Sequence, residues 1–373
     1  MYTILIMIKE KFKAELSFYS KIFRGGFIMY KKLFTRLSIL SIMIALALLA
    51  TSFGGYGQTL KTIKDRGILN GGVNASNPGF SFLNEDGTYV GFEVDLCKAL
   101  ATAVFNDPTK IKYSPLTSKE RFVALQTGEI DVLVRTATWT LTRDTDLGLN
   151  FTHPYIYDGQ TFMVRKDSGI KKIEDMEGAT IAVLTGSTSE ANLADVMFSR
   201  GIKYKPVLYE NLDELISAYD SGRCDSWTCD RSSLMTRMTT LKNPKEHTLL
   251  SETISKEPLA IVVRQGDDQW YDIVQWTLYA TFFGAEHGIT SANVDEEKAN
   301  TKNPEIRRFL GLEGDIGNKL GLSNDWAYNI IKKVGNYDEI WDRHFGPGSG
   351  LTIPRGLNKN WTEGGLIFAP PFR

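Results

Sequence analysis

Side chains able to bind a small polar molecule are concentrated in three short segments and at one further position of the chain. These are VNASNPGF (73–80), RTATWTLTRD (135–144), LTGSTSE (184–190) and Asp230. A guanidinium such as that of Arg143 forms paired hydrogen bonds with a carboxylate, whereas the carboxylate of Asp230 suits an ammonium group. The combination predicts a site for a small zwitterion.

Each of these residues also has a purely structural interpretation. Ser187 and Thr188 belong to an S-x-x-E pattern that could do no more than cap a helix. Asp230 occupies a position typical of a helix N-cap. Arg143 could belong to a solvated charge cluster with the acidic residues that follow it, and Trp139 could be a core residue. Binding is favoured because a cation, an anion and hydroxyl groups all follow predicted strands.

The elements that would position these residues alternate between strand and helix. Apolar runs and helical periodicity predict strands at 68–73, 111–113 and 130–134 with helices at 91–105 and 118–127. The same order returns with strands at 180–184, 205–209 and 224–228 and helices at 188–199 and 211–219. Such alternation predicts parallel sheets of the α/β class, whose ligands bind at the carboxyl ends of the strands.

The two halves also share a local pattern. LQTGEIDVLV (125–134) and YDSGRCDSWT (219–228) both run from a helix end through Gly, a charged residue and Asp into a strand. Together with the matching element order, this pattern predicts two similar lobes, each a small doubly wound sheet.

The composition is that of an ordinary globular protein, with 373 residues, 42% of them hydrophobic and 23% charged. Residues 1–57 contain eight basic and two acidic residues, which leaves 35 basic and 42 acidic residues in the remainder. A chain with this acidic excess lacks the basic field of general nucleic-acid binding. No nucleic-acid partner is therefore expected.

The N-terminus has the pattern of a secretory signal peptide. Residues 37–50, LSILSIMIALALLA, follow a basic stretch and are shorter than the roughly 20 residues that span a bilayer. Small residues after them predict cleavage between Gly57 and Gln58, and an uncleaved membrane anchor is the alternative. Whether translation starts at Met1 or Met29 stays open.

The cysteines and histidines give neither a disulfide nor a metal signature. Cys224 and Cys229 lie in a predicted strand, where they would be about 16 Å apart, beyond the roughly 7 Å limit of a disulfide. Whether Cys97 has a partner stays open. The histidines are widely separated and form no Cys/His cluster, so neither a metal nor a cofactor is expected.

Several dispersed motifs resemble family 3 of the solute-binding proteins, which serve polar amino-acid ABC importers. GFEVDLCKALA (91–101) resembles the family signature of Gly, aromatic, acid, apolar, acid, apolar and a helical apolar run. Three further segments resemble the general L-amino-acid-binding subgroup of this family. They are ALQTGEIDVLVRTATWTLTRD (124–144), LYENLDELISAYDSGRCDSWTCDRSSL (208–234) and the ending GLNKNWTEGGLIFAPPFR. The resemblance spans residues 58–373.

The resemblance implies a two-lobed type II periplasmic binding protein, in which two hinge strands join α/β lobes that are each a doubly wound sheet. The implied divisions are a signal peptide (1–57), lobe 1 (58–157 and 259–373) and lobe 2 (158–258). Residues 284–341 are long for the family and have no implied role beyond supporting lobe 1.

The resemblance also implies the site. Arg143 and Thr188 would hold the ligand α-carboxylate, and Asp230 would bind the α-ammonium. The other candidate ligand-binding residues are Asn77, Phe80, Thr136, Thr138, Trp139 and Ser187. Phe80 and Trp139 would wall the side-chain pocket.

Two positions depart from the family pattern. Asn77 lies near the place where narrow-specificity relatives often have an aromatic lid, so a preference for ligands that stack on an aromatic ring is in doubt. Arg135 replaces a small residue; it is expected at the surface, where it would face water, or else it would meet an acidic ligand side chain.

The implied function is broad binding of L-amino acids in the periplasm and their delivery to an inner-membrane ABC permease, by a monomer without catalytic residues. An exported enzyme on the same fold, such as an amino-acid or prephenate-type dehydratase, is the alternative and would need a general base such as Glu120 or His153. A ligand-sensing domain is a second alternative, disfavoured because no later apolar span or signalling domain follows.

Overall fold

A computed structural model describes residues 9–11, 13–17 and 58–373. The first two stretches are helical with exposed side chains. The apolar run of the predicted signal peptide (37–50) and the residue before the predicted cleavage point lie outside the described residues. In the described part of the chain, no helix is both long enough and apolar enough to cross a membrane.

The first sheet has five strands in the order β5-β1-β6-β13-β7. Their bounds are β1 (Leu69–Val73), β5 (Ile111–Pro115), β6 (Val132–Thr138), β7 (Leu149–Asp158) and β13 (Glu257–Arg264). β1 pairs in parallel with β5 and β6, and β13 runs antiparallel to β6 and β7. A strand from late in the chain therefore completes the sheet that the first half begins.

The second sheet repeats this arrangement in the order β10-β9-β11-β8-β12. Its strands are β8 (Gln160–Arg165), β9 (Thr180–Leu184), β10 (Lys205–Tyr209), β11 (Ser226–Asp230) and β12 (His247–Leu249). The shared Gly-to-Asp pattern has the same role in both sheets: Asp131 accepts from the backbone N–H of Asn70 at 2.7 Å, and Asp225 accepts from that of Thr180 at 2.7 Å. Each aspartate ties the start of one parallel strand to its neighbour.

Helices cover the faces of both sheets. With the first sheet lie α1 (Thr59–Arg66), α2 (Phe92–Phe105), α3 (Glu120–Gln126) and α4 (Leu141–Thr145), and with the second lie α5 (Thr188–Ser199), α6 (Leu212–Asp220) and α7 (Arg231–Met238). The segment predicted as a loop at 73–80 instead contributes to a small sheet of β2 (Ser76–Asn77), β3 (Ser81–Leu83) and β4 (Tyr89–Val90).

The helices after β13 pack on the first lobe. They are α8 (Asp268–Glu286), α9 (Val294–Asn300), α10 (Pro304–Phe309), α11 (Ile316–Leu320), α12 (Trp326–Lys333) and α13 (Tyr337–Phe345). The Tyr337 hydroxyl donates to the Tyr155 carbonyl oxygen at 2.9 Å, and His344 lies 2.8 Å from Asp95 on α2. The stretch 284–341 thus extends the core of lobe 1.

Two crossovers connect the sheets. β7 ends at Asp158 and β8 begins at Gln160, and the chain returns through the segment before Glu257. At Gly159 between them, a β-carbon would lie 2.8 Å from the carbonyl oxygen of Ser255 on the returning segment. Only glycine permits the two crossing segments to approach so closely.

The cysteines are free thiols in the described structure. β11 begins at Ser226, two residues later than predicted, so Cys224 precedes the strand and Cys229 lies within it. Among the described residues, no cluster of His, Cys, Asp or Glu could hold a metal ion.

Candidate functional site

A cavity lies between the two sheets, at the carboxyl ends of β6, β9 and β11. Five of the predicted binding residues line it: Asn77, Thr136, Ser187, Thr188 and Asp230. Side chains from both lobes meet across it, with Asn77 Nδ2 3.3 Å from Ser233 Oγ and Thr138 Oγ1 3.3 Å from Thr188 Oγ1. The lobes are therefore in contact around this cavity.

Asp230 presents a carboxylate to this cavity without a hydrogen-bond partner among the described residues. It stands at the N-cap position of α7 but makes no capping bond, so the capping interpretation is wrong. The residue is only 6% exposed. Burial, reinforced by Glu257 and Asp158, raises the pKa of Asp230 well above its usual range, while Arg121 and Arg143 oppose that rise. Although these arginines act on it, this buried carboxylate has no hydrogen-bonded cation in the described part of the chain.

Arg143 is buried rather than solvated. It lies on α4, is 8% exposed and donates from Nη1 to the Thr138 carbonyl oxygen at 2.9 Å. Its guanidinium carbon is 5.0 Å from the centre of the Phe122 ring. Burial lowers the pKa of Arg143, and the carboxylates of Glu257 and Asp230 counteract that effect. Arg143 therefore lies behind Thr138, and neither of these two predicted binding residues is among those that line the cavity.

Ser187 and Thr188 differ in what their hydroxyl groups do. Ser187 caps α5 by accepting from the Glu190 N–H at 3.2 Å, so its capping role is real. Thr188 follows at the first helical position, and its hydroxyl donates to Glu257 Oε2 at 2.9 Å. In the S-x-x-E pattern, Ser187 caps the helix, whereas the Thr188 hydroxyl makes a contact between the lobes.

Glu257 is the residue that sequence reasoning missed. Its Oε2 accepts from the hydroxyls of Thr138 at 2.5 Å and Thr188 at 2.9 Å, one from each lobe. Its Oε1 accepts from Asn192 at 2.7 Å and Ser255 at 2.5 Å. The signal in the sequence was one acidic residue opening an otherwise apolar strand, EPLAIVV, and it did not indicate which lobe the side chain would contact.

Replacing Glu257 by glutamine should loosen this interlobe contact. Hydrogen bonds to a charged acceptor contribute about 1.5–3 kcal/mol, so loss of the charge should raise the ratio of open to closed ligand-free protein about tenfold. Small-angle X-ray scattering should show a larger radius of gyration. Glu252→Gln, which alters a surface ion pair with Arg200, is the matched control. An unchanged scattering curve for Glu257→Gln would contradict the role.

Glu93, on α2, holds the end of β6 in place. Its buried carboxylate accepts from Ser81 Oγ at 2.9 Å, from the Tyr155 hydroxyl at 2.6 Å and from the backbone N–H of Thr136. Thr136 has φ of 35°, in the left-handed region that disfavours a branched residue. The acid of the GFEVD motif thus fixes the bend that brings Thr136 to the cavity.

Two predicted wall residues do not reach this cavity. Phe80 is completely buried and packs on Phe345 with ring centres 4.9 Å apart. Trp139 is 41% exposed and stacks on Phe151, so it is neither a core residue nor a cavity wall. The spacing of residues within each segment does not predict the direction in which these two side chains point.

Arg135 lines the cavity, although the sequence predicted it at the surface. The side chain is buried. Its Nε donates to the Leu116 carbonyl oxygen at 2.7 Å. The strand continues through this residue because β13 extends the pairing of β6 as far as Thr138.

The two sheets, the paired crossovers and the cavity between the lobes define a type II periplasmic binding protein. The family model for bacterial extracellular solute-binding proteins, family 3, matches residues 69–347. The chain belongs to this family, as the dispersed motifs predicted.

Relatives of known name agree with this assignment. The general L-amino acid-binding periplasmic protein AapJ of Rhizobium johnstonii is 54% identical over 338 residues, 90% of this chain and 99% of the relative. The glutamate/glutamine/aspartate/asparagine-binding protein BztA of Rhodobacter capsulatus is 48% identical over 330 residues, 88% of this chain and 97% of the relative. These relatives are binding proteins rather than enzymes.

A solved structure also resembles the chain closely. It is an ABC transporter/periplasmic binding protein from Brucella ovis with glutathione bound, which is 50% identical. The TM-score is 0.82, and the match covers 84% of this chain and 99% of the other. The predicted fold class is therefore confirmed.

Proposed function

We propose that this protein binds L-amino acids of several kinds in the interlobe cavity and delivers them to an inner-membrane ABC permease. It would act in the periplasm as a monomer, after cleavage between Gly57 and Gln58. The observation that carries the proposal is the buried carboxylate of Asp230, which lines the cavity without a hydrogen-bonded partner among the described residues. The names of the relatives support the same ligand class.

The proposed ligand contacts divide between the lobes. The α-ammonium would pair with Asp230 of lobe 2, and the α-carboxylate would lie beside Thr188 with Arg143 of lobe 1 as its counter-charge. Asn77, Thr136 and Ser187, which line the cavity, would surround the rest of the ligand. Thr138 would act with Arg143, whose guanidinium holds its carbonyl.

Closure would follow from this division. Only when the lobes meet can one ligand contact Asp230 and Arg143 together, so binding favours the closed state. We propose that residues 58–157 with 259–373 move as one lobe and 158–258 as the other, about the crossovers beside Gly159. The closed pair would then present a single surface to the permease.

A thermal-shift screen of the mature chain against the common L-amino acids, sugars and dicarboxylates tests the proposal. A ligand at about 100 times its Kd should stabilise the folded state by about 2.7 kcal/mol, which raises Tm by several degrees. The corresponding 2-hydroxy acids, which lack the ammonium, are the matched controls. Failure of every amino acid to raise Tm would contradict the function.

The enzyme alternative is less well supported. Glu120 lies at the surface and accepts from the Thr117 N–H at 2.9 Å. His153 is packed among Tyr157, Tyr279 and Phe282, with its Nδ1 3.0 Å from the Pro154 carbonyl oxygen. Neither candidate base lines the cavity that contains Asp230, although Glu120 lines an adjoining pocket between the lobes. We therefore propose a binding protein without catalytic residues, and stoichiometric binding without turnover would distinguish it from an enzyme.

A further inference from the structure

Three buried guanidinium groups line the interlobe cavity, whereas Arg143 does not. Arg121 and Arg135 reach it from lobe 1, and Arg237 reaches it from α7 of lobe 2. Among the described residues that line the cavity, Asp230 alone is acidic. Among the lining residues, three positive charges therefore accompany one negative charge.

Arg237 is the least satisfied of the three. It is 3% exposed, and its Nε and Nη2 have no hydrogen-bond acceptor in the described part of the chain. Its nearest ionic partner is Asp213, whose Oδ1 is 3.7 Å from Nη1 and whose own side chain is 64% exposed. A buried charged donor left in this state is costly, so Arg237 lacks an anion.

Of the two lobe 1 arginines, Arg121 is anchored but retains an unused donor, whereas Arg135 bonds Leu116 and Ser118. Arg121 donates from Nη1 to the carbonyl oxygens of Arg135 at 3.1 Å and Thr136 at 3.3 Å, while its Nε has no partner among the described residues. The indole Nε1 of Trp227, on the cavity wall, is also unpartnered among them. Three residues that line the cavity, Arg121, Trp227 and Arg237, thus have donors without acceptors in the described part of the chain.

The ammonium and α-carboxylate of an amino acid do not account for these donors. The proposed ligand contacts use Asp230 and Arg143, and Arg143 already balances Glu257. Burial lowers the pKa of Arg135 and of Arg237 to about 10. Both guanidinium groups therefore stay charged at neutral pH. Glu93 counters part of the effect of burial on Arg135, and Asp213 does so for Arg237, but no proposed ligand charge matches either group.

We infer that Arg237, together with Arg121 and Arg135, forms a second anion subsite that selects amino acids or short peptides carrying a second carboxylate. This inference rests on the proposed function and specifies its preferred ligand class. A second carboxylate would sit between guanidinium groups of opposite lobes. An acidic ligand would thereby remove the repulsion of like charges across the cleft and favour closure more than its neutral amide does.

Isothermal titration calorimetry with two matched ligand pairs tests the subsite. The wild-type protein should bind L-glutamate at least tenfold more tightly than L-glutamine, and L-aspartate at least tenfold more tightly than L-asparagine. Arg237→Gln should reduce both ratios at least tenfold. Arg223→Gln, which removes an exposed arginine of the same lobe, should leave the ratios unchanged.

The outcomes separate the subsite from the proposed function. Amino-acid binding with equal affinity within each pair, or ratios unaffected by Arg237→Gln, would overturn the subsite alone. Absence of binding by all four ligands would overturn the proposed function. The ligand-free Arg237→Gln variant should melt at a higher temperature than the wild type, because it loses an unpaired buried charge. A lower Tm would instead indicate a structural ion pair with Asp213 and count against the subsite.

Discussion

Alanine in place of Arg143 should weaken L-amino-acid binding at least about 100-fold while the protein stays folded. The guanidinium is the counter-charge of Glu257 and Asp230, and it would also have to neutralise the incoming α-carboxylate. Each hydrogen bond to a charged group contributes about 1.5–3 kcal/mol, so losing two such bonds gives a change of this size. Titration calorimetry measures it, and circular dichroism checks the fold.

Lysine at position 143 distinguishes charge from geometry. It restores the positive charge but not the planar fork that bonds two oxygens and holds the Thr138 carbonyl at the same time. We expect an affinity between those of Arg143→Ala and the wild type. Wild-type affinity in the alanine variant would remove Arg143 from the site.

Asparagine in place of Asp230 should weaken L-amino acids about 100-fold and the corresponding 2-hydroxy acids much less. The variant keeps the shape of the side chain and loses the charge that would pair with the ammonium, in a cavity where solvent does not replace it. Asp225→Asn is the matched control, because Asp225 directly precedes the opposite end of β11 and accepts hydrogen bonds from the backbone N–H and the hydroxyl of Thr180. Equal losses for both ligand classes would refute the ammonium contact.

The raised pKa of Asp230 gives the same contact a pH dependence. In the ligand-free protein this carboxyl group takes up a proton at higher pH than usual, whereas binding an ammonium requires the ionised form. Affinity should therefore fall as the pH drops through that raised pKa, and ligand binding should release protons there. Above it, affinity should be constant.

Calorimetry in buffers of different ionisation enthalpy measures this proton release. Asp158 and Glu257 face Asp230 and contribute to its shift, while Arg121 and Arg143 oppose it. Asp158 is also raised in pKa by burial but keeps hydrogen bonds from Ser232. Asp230→Asn should therefore abolish most of the proton release, and release that persists unchanged would assign the titration to another group.

Much of the fold followed from local patterns in the sequence. The alternation of apolar strands with helices determined the order of elements, and the two Gly-to-Asp segments revealed the repeated sheet. The same patterns placed Thr188 at a helix start and Asp230 at a strand end. These assignments were accessible because each depends on residues within a few positions of one another.

The tertiary structure alone decided which side chains face the cavity. Glu257 enters the site because β13 pairs with β6 from more than one hundred positions later in the chain. Arg135 and Arg237 are buried beside the cavity, whereas Phe80 and Trp139 point elsewhere. Spacing within one segment fixes the face on which a residue lies, but the opposite lobe determines whether that face meets water, core or ligand.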